Sequence, residues 1–131
     1  MMTAAGSGYS RWRGTSVTRW REDATRDHWG SYLFLRDRRT GAVWSAGYQP
    51  TGTEPDAYEV VYSEDHVELS RRDGSITTVL EVVVSAEHDA EIRRLTISNL
   101  GSQDREIDVT SYAELVLAPQ AADVAHPAFQ N

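Results

Sequence analysis

The sequence predicts an all-β protein, an antiparallel β-sandwich with an irregular N-terminal segment, and three observations carry that prediction. From residue 31 to residue 119 short runs rich in β-branched and aromatic residues recur, most alternating apolar with polar. Gly, Pro and Asp-Gly turn signals separate these runs at short intervals. No segment beyond Ser31 carries the 3.6-residue apolar period of a good helix. Seven strands at this spacing fit two packed antiparallel sheets.

Each element has its own justification. "SYLFLRD" (31–37) alternates and runs into "RRTG", a turn cluster ending at Gly41, so "AVWSAGY" (42–48) pairs back on it as a hairpin. "QPTGTEPD" (49–56), with two Pro and one Gly, reads as a loop. "AYEVVYS" and "DHVELSRR" follow, and "DGS" (73–75) marks a tight turn into "ITTVLEVVVS" (76–85). That run sets Leu80, Val82 and Val84 on one face.

"EIRRLTISNL" (91–100) changes phase, with Ile92 on one face and Leu95 and Ile97 on the other. A β-bulge at Arg93 and Arg94 would restore a single apolar face. "REIDVTSYAELVLAP" (105–119) alternates over Ile107, Val109, Ser111, Ala113, Leu115 and Leu117 and reads as one long strand that Pro119 ends. The tail "QAADVAHPAFQN" reads as neither strand nor cap. The chain therefore divides into an N-terminal segment (1–30), a sandwich (31–118) and a tail (119–131). A sandwich usually closes with a strand that covers an edge, so this one is expected to be part of a larger sandwich.

Composition bounds the function. The 131 residues fit one domain that buries roughly two-thirds of its unfolded surface. There is no cysteine, hence no disulfide or thiolate chemistry, and no apolar run of membrane-spanning length. "MMTAAGSGYS" lacks the basic and apolar regions of a signal peptide. Net charge is −7 and uneven: residues 1–40 hold eight Arg against four acids, net +4, and residues 41–131 hold five Arg against sixteen acids, net −11. A largely acidic surface argues against a nucleic-acid partner, whose phosphates demand neutralising cations, although the basic, Trp-rich head could stack on single-stranded bases.

Residues 8–32, "GYSRWRGTSVTRWREDATRDHWGSY", hold three of the four Trp and five of the thirteen basic residues, all Arg, without a helix or strand period. Flat rings interleaved with forked polar groups suit a sugar, whose ring face is apolar and whose rim carries hydroxyls. The candidate carbohydrate or interface contacts are Trp12, Arg19, Trp20, Arg21, Arg26 and Asp27. An irregular segment with Trp rings in the core and Arg stems over them remains the alternative. Trp29, next to the first sandwich strand, is expected to pack, with Trp12 and Trp20 more exposed.

Other chemistry is weakly signalled. Glu22, Asp23 and Asp27 could include an acid/base pair, but Arg13, Arg19, Arg21 and Arg26 nearby would hold them ionised as structural ion pairs. His28, His66, His88 and His126 are scattered without metal-ligand spacing. Neither strand nor helix flanks "GSG" (6–8), so it is not a phosphate loop. No cofactor is expected.

The blocks "GSGYSRW", "TRWREDATRDHWGSYLFLRD", "VWSAGYQPTGTEPDAYEV" and "LTISNLGSQDREIDVTSYAELVLAPQAADVAHPAF" resemble, in order, the N-terminal β-sandwich of glycoside hydrolase family ninety-four, the former glycosyltransferase family thirty-six. They are most similar to its cyclic β-1,2-glucan synthase branch; the cellobiose and chitobiose phosphorylases are more distant. The resemblance implies a galactose-mutarotase-like supersandwich, of which the chain matches about the first half. It places the catalytic groups in a following (α/α)6 barrel, so the chain is expected to have no activity by itself. Implied partners are a β-glucan or oligosaccharide, that barrel in a full-length parent, and a second copy of the chain. Direct membrane insertion is not expected, and the implied location is cytoplasmic, with the parent enzyme at the inner membrane. A free-standing carbohydrate-binding module and a mutarotase-like epimerase are the alternatives.

Overall fold

The computed structural model describes residues 1–23 and 25–125. Ten strands and one short helix follow in order: β1 (Arg11–Trp12), β2 (Thr15–Thr18), β3 (Ser31–Asp37), β4 (Val43–Ser45), β5 (Ala57–Tyr62), β6 (His66–Asp73), β7 (Ile76–Val84), β8 (Glu91–Asn99), β9 (Ile107–Ala113), β10 (Leu115–Pro119) and α1 (Gln120–Ala125). They form three antiparallel sheets, ordered β1-β2-β10, β4-β3-β9 and β5-β6-β7-β8. Among the described residues no helix is long and apolar enough to cross a membrane.

The β4-β3-β9 and β5-β6-β7-β8 sheets pack face to face. Leu35, Trp44 and Ala46 on one side meet Leu69, Ile76, Leu80 and Val82 on the other, all buried. The period-2 pattern does this sorting: in β7, Ile76, Thr78, Leu80 and Val82 point inward while the residues between them stay half-exposed. Two turns follow the sequence closely. Gly74, at φ 61°, supplies the positive φ that a two-residue turn between Asp73 and Ile76 requires. Buried Asp37 accepts the amide N–H groups of Arg39 (2.7 Å) and Thr40 (3.1 Å), and Arg105 pairs with its other oxygen.

Four expectations need correction. First, β8 carries no bulge: its register with β7 runs unbroken from Asn99 opposite Ile76 to Glu91 opposite Val84. Arg93 takes the inward position instead, and its guanidinium donates to the Ser31 carbonyl on the opposite sheet, so a snorkelling arginine replaces the missing apolar residue and Ile92 stays in solvent. Second, the long strand at 105–119 breaks at Glu114. β9 pairs with β3 along its whole length, whereas β10 leaves to pair with β2. The bulge lies there, between Leu115 and Ala118, where Leu117 adopts φ 56°. It reverses the phase, so that Val116 and Ala118 are buried while Leu115 and Leu117 face out.

Third, the N-terminal segment is not irregular throughout. β1 and β2 form a hairpin closed by Arg13 (φ 45°) and Gly14 (φ 87°), two successive positive-φ residues as a type I′ turn needs. Fourth, the tail opens with α1. Its last six residues, including His126 and Phe129, lie outside the described residues.

One side of the sandwich is open. Among the described residues β8 pairs only with β7, and β9 only with β3. On the inward faces of these edge strands Ile97 is 37% exposed and Val109 48%.

Candidate functional site

The chain from Thr18 to Trp29 is positioned from both ends. Leaving β2, Arg19 donates its amide to the Glu114 carbonyl (2.9 Å) and buries its guanidinium against Asp123 of α1 (3.0 Å) and Glu114 (3.2 Å). Arg21 reaches the same Asp123 carboxylate at 3.6 Å and its carbonyl at 3.3 Å. Between these arginines, Trp20 sets its ring 5.5 Å from that of Tyr9. At the far end, the Gly8 amide donates to the Trp29 carbonyl (2.8 Å) and the Ser7 hydroxyl to the Asp27 carbonyl (2.8 Å). "GSG" is therefore a buried crossing point. A Cβ on Gly8 would lie 2.1 Å from the Met1 carbonyl oxygen.

Between these anchors lies a cleft of about 470 Å³, lined by Trp20, Arg21, Glu22, Asp23, Thr25, Arg26, Asp27 and Gln49. Of the six candidate residues, Trp20, Arg21, Arg26 and Asp27 meet here. Arg19 does not: it is held in the ion network with Asp123 and Glu114. Trp12 lies elsewhere, on the β1–β2 hairpin, exposed and with the Arg13 guanidinium 4.8 Å from its ring centroid. The expected division of the tryptophans holds for Trp12 alone, because Trp20 and Trp29 are both half-buried.

The expected ion pairs within the loop are replaced by longer-range ones. Arg19 and Arg21 take Asp123 and Glu114, and among the described residues Glu22, Asp23 and Asp27 form no ion pair. Asp23 instead accepts the Thr25 hydroxyl (2.6 Å) and amide (2.8 Å), which hold its pKa below the ordinary aspartate value. Asp27 accepts the Thr3 hydroxyl at 3.3 Å. Gln49, which nothing in its own sequence neighbourhood marks, arrives because buried Arg71 draws its loop inward, donating to the carbonyls of Gly47 (2.9 Å) and Thr53 (2.8 Å). The Gln49 amide also donates to the Ala5 carbonyl at 2.8 Å.

The cleft thus offers one indole, two guanidiniums, three carboxylates and a carboxamide. These groups suit a ligand with many hydroxyls. Asp23 is held ionised, the reverse of what a general acid needs, and Asp65, Glu81 and Glu91 are displaced downward too. Among the described residues no three His, Asp or Glu side chains converge as a metal site would require.

Comparison with known proteins bears on this arrangement. The whole chain, residues 1–131, matches the family described as "Glycosyl hydrolase 94, supersandwich domain". It is 46% identical over its full length to 5% of the cyclic beta-(1,2)-glucan synthase NdvB of Rhizobium meliloti. It is 35% identical, over 60% of its length, to 10% of the 3-O-beta-D-glucopyranosyl-beta-D-glucuronide phosphorylase of Paenibacillus borealis. It is 30% identical, over 82% of its length, to 14% of the N,N'-diacetylchitobiose phosphorylase of Vibrio furnissii. The chain therefore spans only a small part of these relatives' length.

Proposed function

Because the chain belongs to the glycosyl hydrolase 94 supersandwich-domain family, we propose that it is a non-catalytic β-sandwich serving a β-glucan-processing enzyme, contributing sugar contact and a docking side for further protein. The observation that carries this reading is the convergence of Trp20, Arg21, Arg26 and Asp27 on one cleft. An indole can cover the apolar face of a pyranose while guanidinium and carboxylate groups take its hydroxyls. Catalysis belongs to other parts of such an enzyme.

The open side supports the docking role. Two edge strands, each with one edge unpaired among the described residues, flank exposed inward-facing Ile97 and Val109 and form a surface that other strands or a second copy can cover.

The test is titration of the 131-residue chain with β-1,2-linked glucose oligosaccharides, following the Trp20 indole N–H by NMR, with Trp20→Ala and Arg26→Ala beside the parent sequence. A saturable shift weakened about tenfold in each variant is expected. The same mixtures with phosphate should release no glucose 1-phosphate. Absence of any shift at Trp20 overturns the sugar contact, and concentration-dependent release of sugar phosphate overturns the non-catalytic assignment.

A further inference from the structure

A second hollow, of about 390 Å³, lies between the β1–β2 hairpin and the turn that joins β7 to β8. Its size is within the range of roughly 300–1,000 Å³ common to small-molecule sites. Trp12, 44% exposed, and Val84 give it an apolar side. His88, Asp89 and Glu91 give it a polar side. Among the described residues the side chains of His88 and Asp89 make no hydrogen bond or ion pair, and the Trp12 indole N–H has no acceptor, so all three are free to receive a ligand.

Both walls are built rather than loose. The type I′ turn holds Arg13 at φ 45°, a region that L-residues other than Gly, Asn and Asp seldom enter, and that conformation accompanies the stacking of its guanidinium on the indole. Across the hollow, Ser85 closes the turn. Its hydroxyl accepts the amides of Glu87 (3.3 Å) and His88 (3.1 Å), and its amide donates to the Ala90 carbonyl at 2.9 Å. The Ser10 hydroxyl donates to Glu91 at 2.6 Å and ties the two walls together.

We propose that this hollow is a second carbohydrate subsite, which takes a neutral pyranose unit with Trp12 as the stacking platform and His88 and Asp89 as the groups that bind ring hydroxyls. Arg11 and Arg13 line the hollow together with the carboxylates Asp89 and Glu91, so opposite charges balance and no ionic class of ligand is favoured. A flat ring beside unpartnered hydrogen-bonding groups matches an uncharged polyol with one apolar face. Tyr9 lines the hollow and touches Trp20, which lines the cleft, so the two sites adjoin and can hold separate units of one oligosaccharide. The inference rests on the sugar reading above for its ligand class, but it uses different residues.

The experiment is a titration of the isotope-labelled 131-residue chain with a β-1,2-linked glucose trisaccharide, reading each indole N–H separately. The expected result is a saturable shift of the Trp12 indole with accompanying shifts at His88 and Asp89. Trp12→Ala and Asp89→Asn should each weaken that response about tenfold, and Trp20→Ala should leave it within about twofold. Should Trp12→Ala disturb the hairpin, the isosteric Asp89→Asn decides. Shifts confined to Trp20 would overturn this inference and leave the cleft standing. Shifts at Trp12 without Trp20 would support it and remove the cleft. No saturable shift at either overturns both.

Discussion

Replacing Arg71 by methionine removes one side chain and unmakes a buried junction. Arg71 is 1% exposed. Its Nε and Nη2 grip both oxygens of Asp73 at 2.7 and 2.8 Å, Nη1 donates to the Gly47 carbonyl at 2.9 Å, and Nη2 also donates to the Thr53 carbonyl at 2.8 Å. Methionine has a similar length and can fill the volume, so the change tests the hydrogen bonds rather than a cavity. Removing one partner of a buried ion pair costs about 3–5 kcal/mol. The Asp73 side chain is 17% exposed and regains some water, which lowers that cost. The two carbonyls lose charge-assisted donors and add about 1 kcal/mol each. A net loss of about 3–4 kcal/mol follows, which for a domain of this size lowers the melting temperature by roughly 12–16 °C. Arg71→Lys should recover only part of this, because an ammonium cannot serve three acceptors in the planar fork geometry. Thermal unfolding followed by circular dichroism measures both variants. An Arg71→Met melting temperature within about 3 °C of the parent would refute the reasoning and mean that the junction contributes nothing net.

Three further outcomes follow from the same structure. Asp123→Asn strips the shared carboxylate from Arg19 and Arg21; because Glu114 still holds Arg19, the loss should be about 2 kcal/mol, with a change in Trp20 emission. An unchanged melting curve and spectrum would contradict it. Burial of the Glu91 carboxyl opposes its ionisation, but the Ser10 hydroxyl and Arg93 outweigh burial and hold its pKa below the ordinary value. A carboxylate depressed on folding stabilises the fold above its unfolded pKa of about 4.3, and that stability is lost as pH falls through the lower folded value. Glu91→Gln should therefore flatten the acid limb of the stability profile below about pH 4.3, and an identical limb would exclude the contribution. Finally, the open β8–β9 side should drive self-association at micromolar concentration that persists in high salt, and Val109→Lys should abolish it. Light scattering showing a 14.7 kDa parent chain at every concentration would rule this out.

Much of this protein is local and was therefore legible in the sequence. Ser31–Asp37 is a strand over the predicted residues because its own alternation and the Arg-Arg-Thr-Gly turn after it define both ends. The turn at Gly74 follows from a residue that accepts positive φ at no steric cost. The sandwich class and the family follow from several such elements in order. The residues Trp20, Arg21, Arg26 and Asp27 were also visible, because aromatic and forked polar groups in an aperiodic segment stand out against alternating strands.

The tertiary structure alone decided which groups those residues meet. Nothing near Arg19 points to Asp123, 104 positions away, because that encounter depends on β10 pairing with β2. Gln49 reaches the cleft only through the loop that Arg71 draws inward. The phase of β8 and of β10 was open for a related reason. Alternation tells which residues share a face, but which face is inside depends on the sheet laid against it. At β8 a long arginine stem made the inward face workable without a bulge. At β10 a change of partner sheet placed a bulge where the apolar pattern alone read as continuous. Side-chain alternation is a property of the backbone, whereas register, partner and burial are settled when distant strands close on one another.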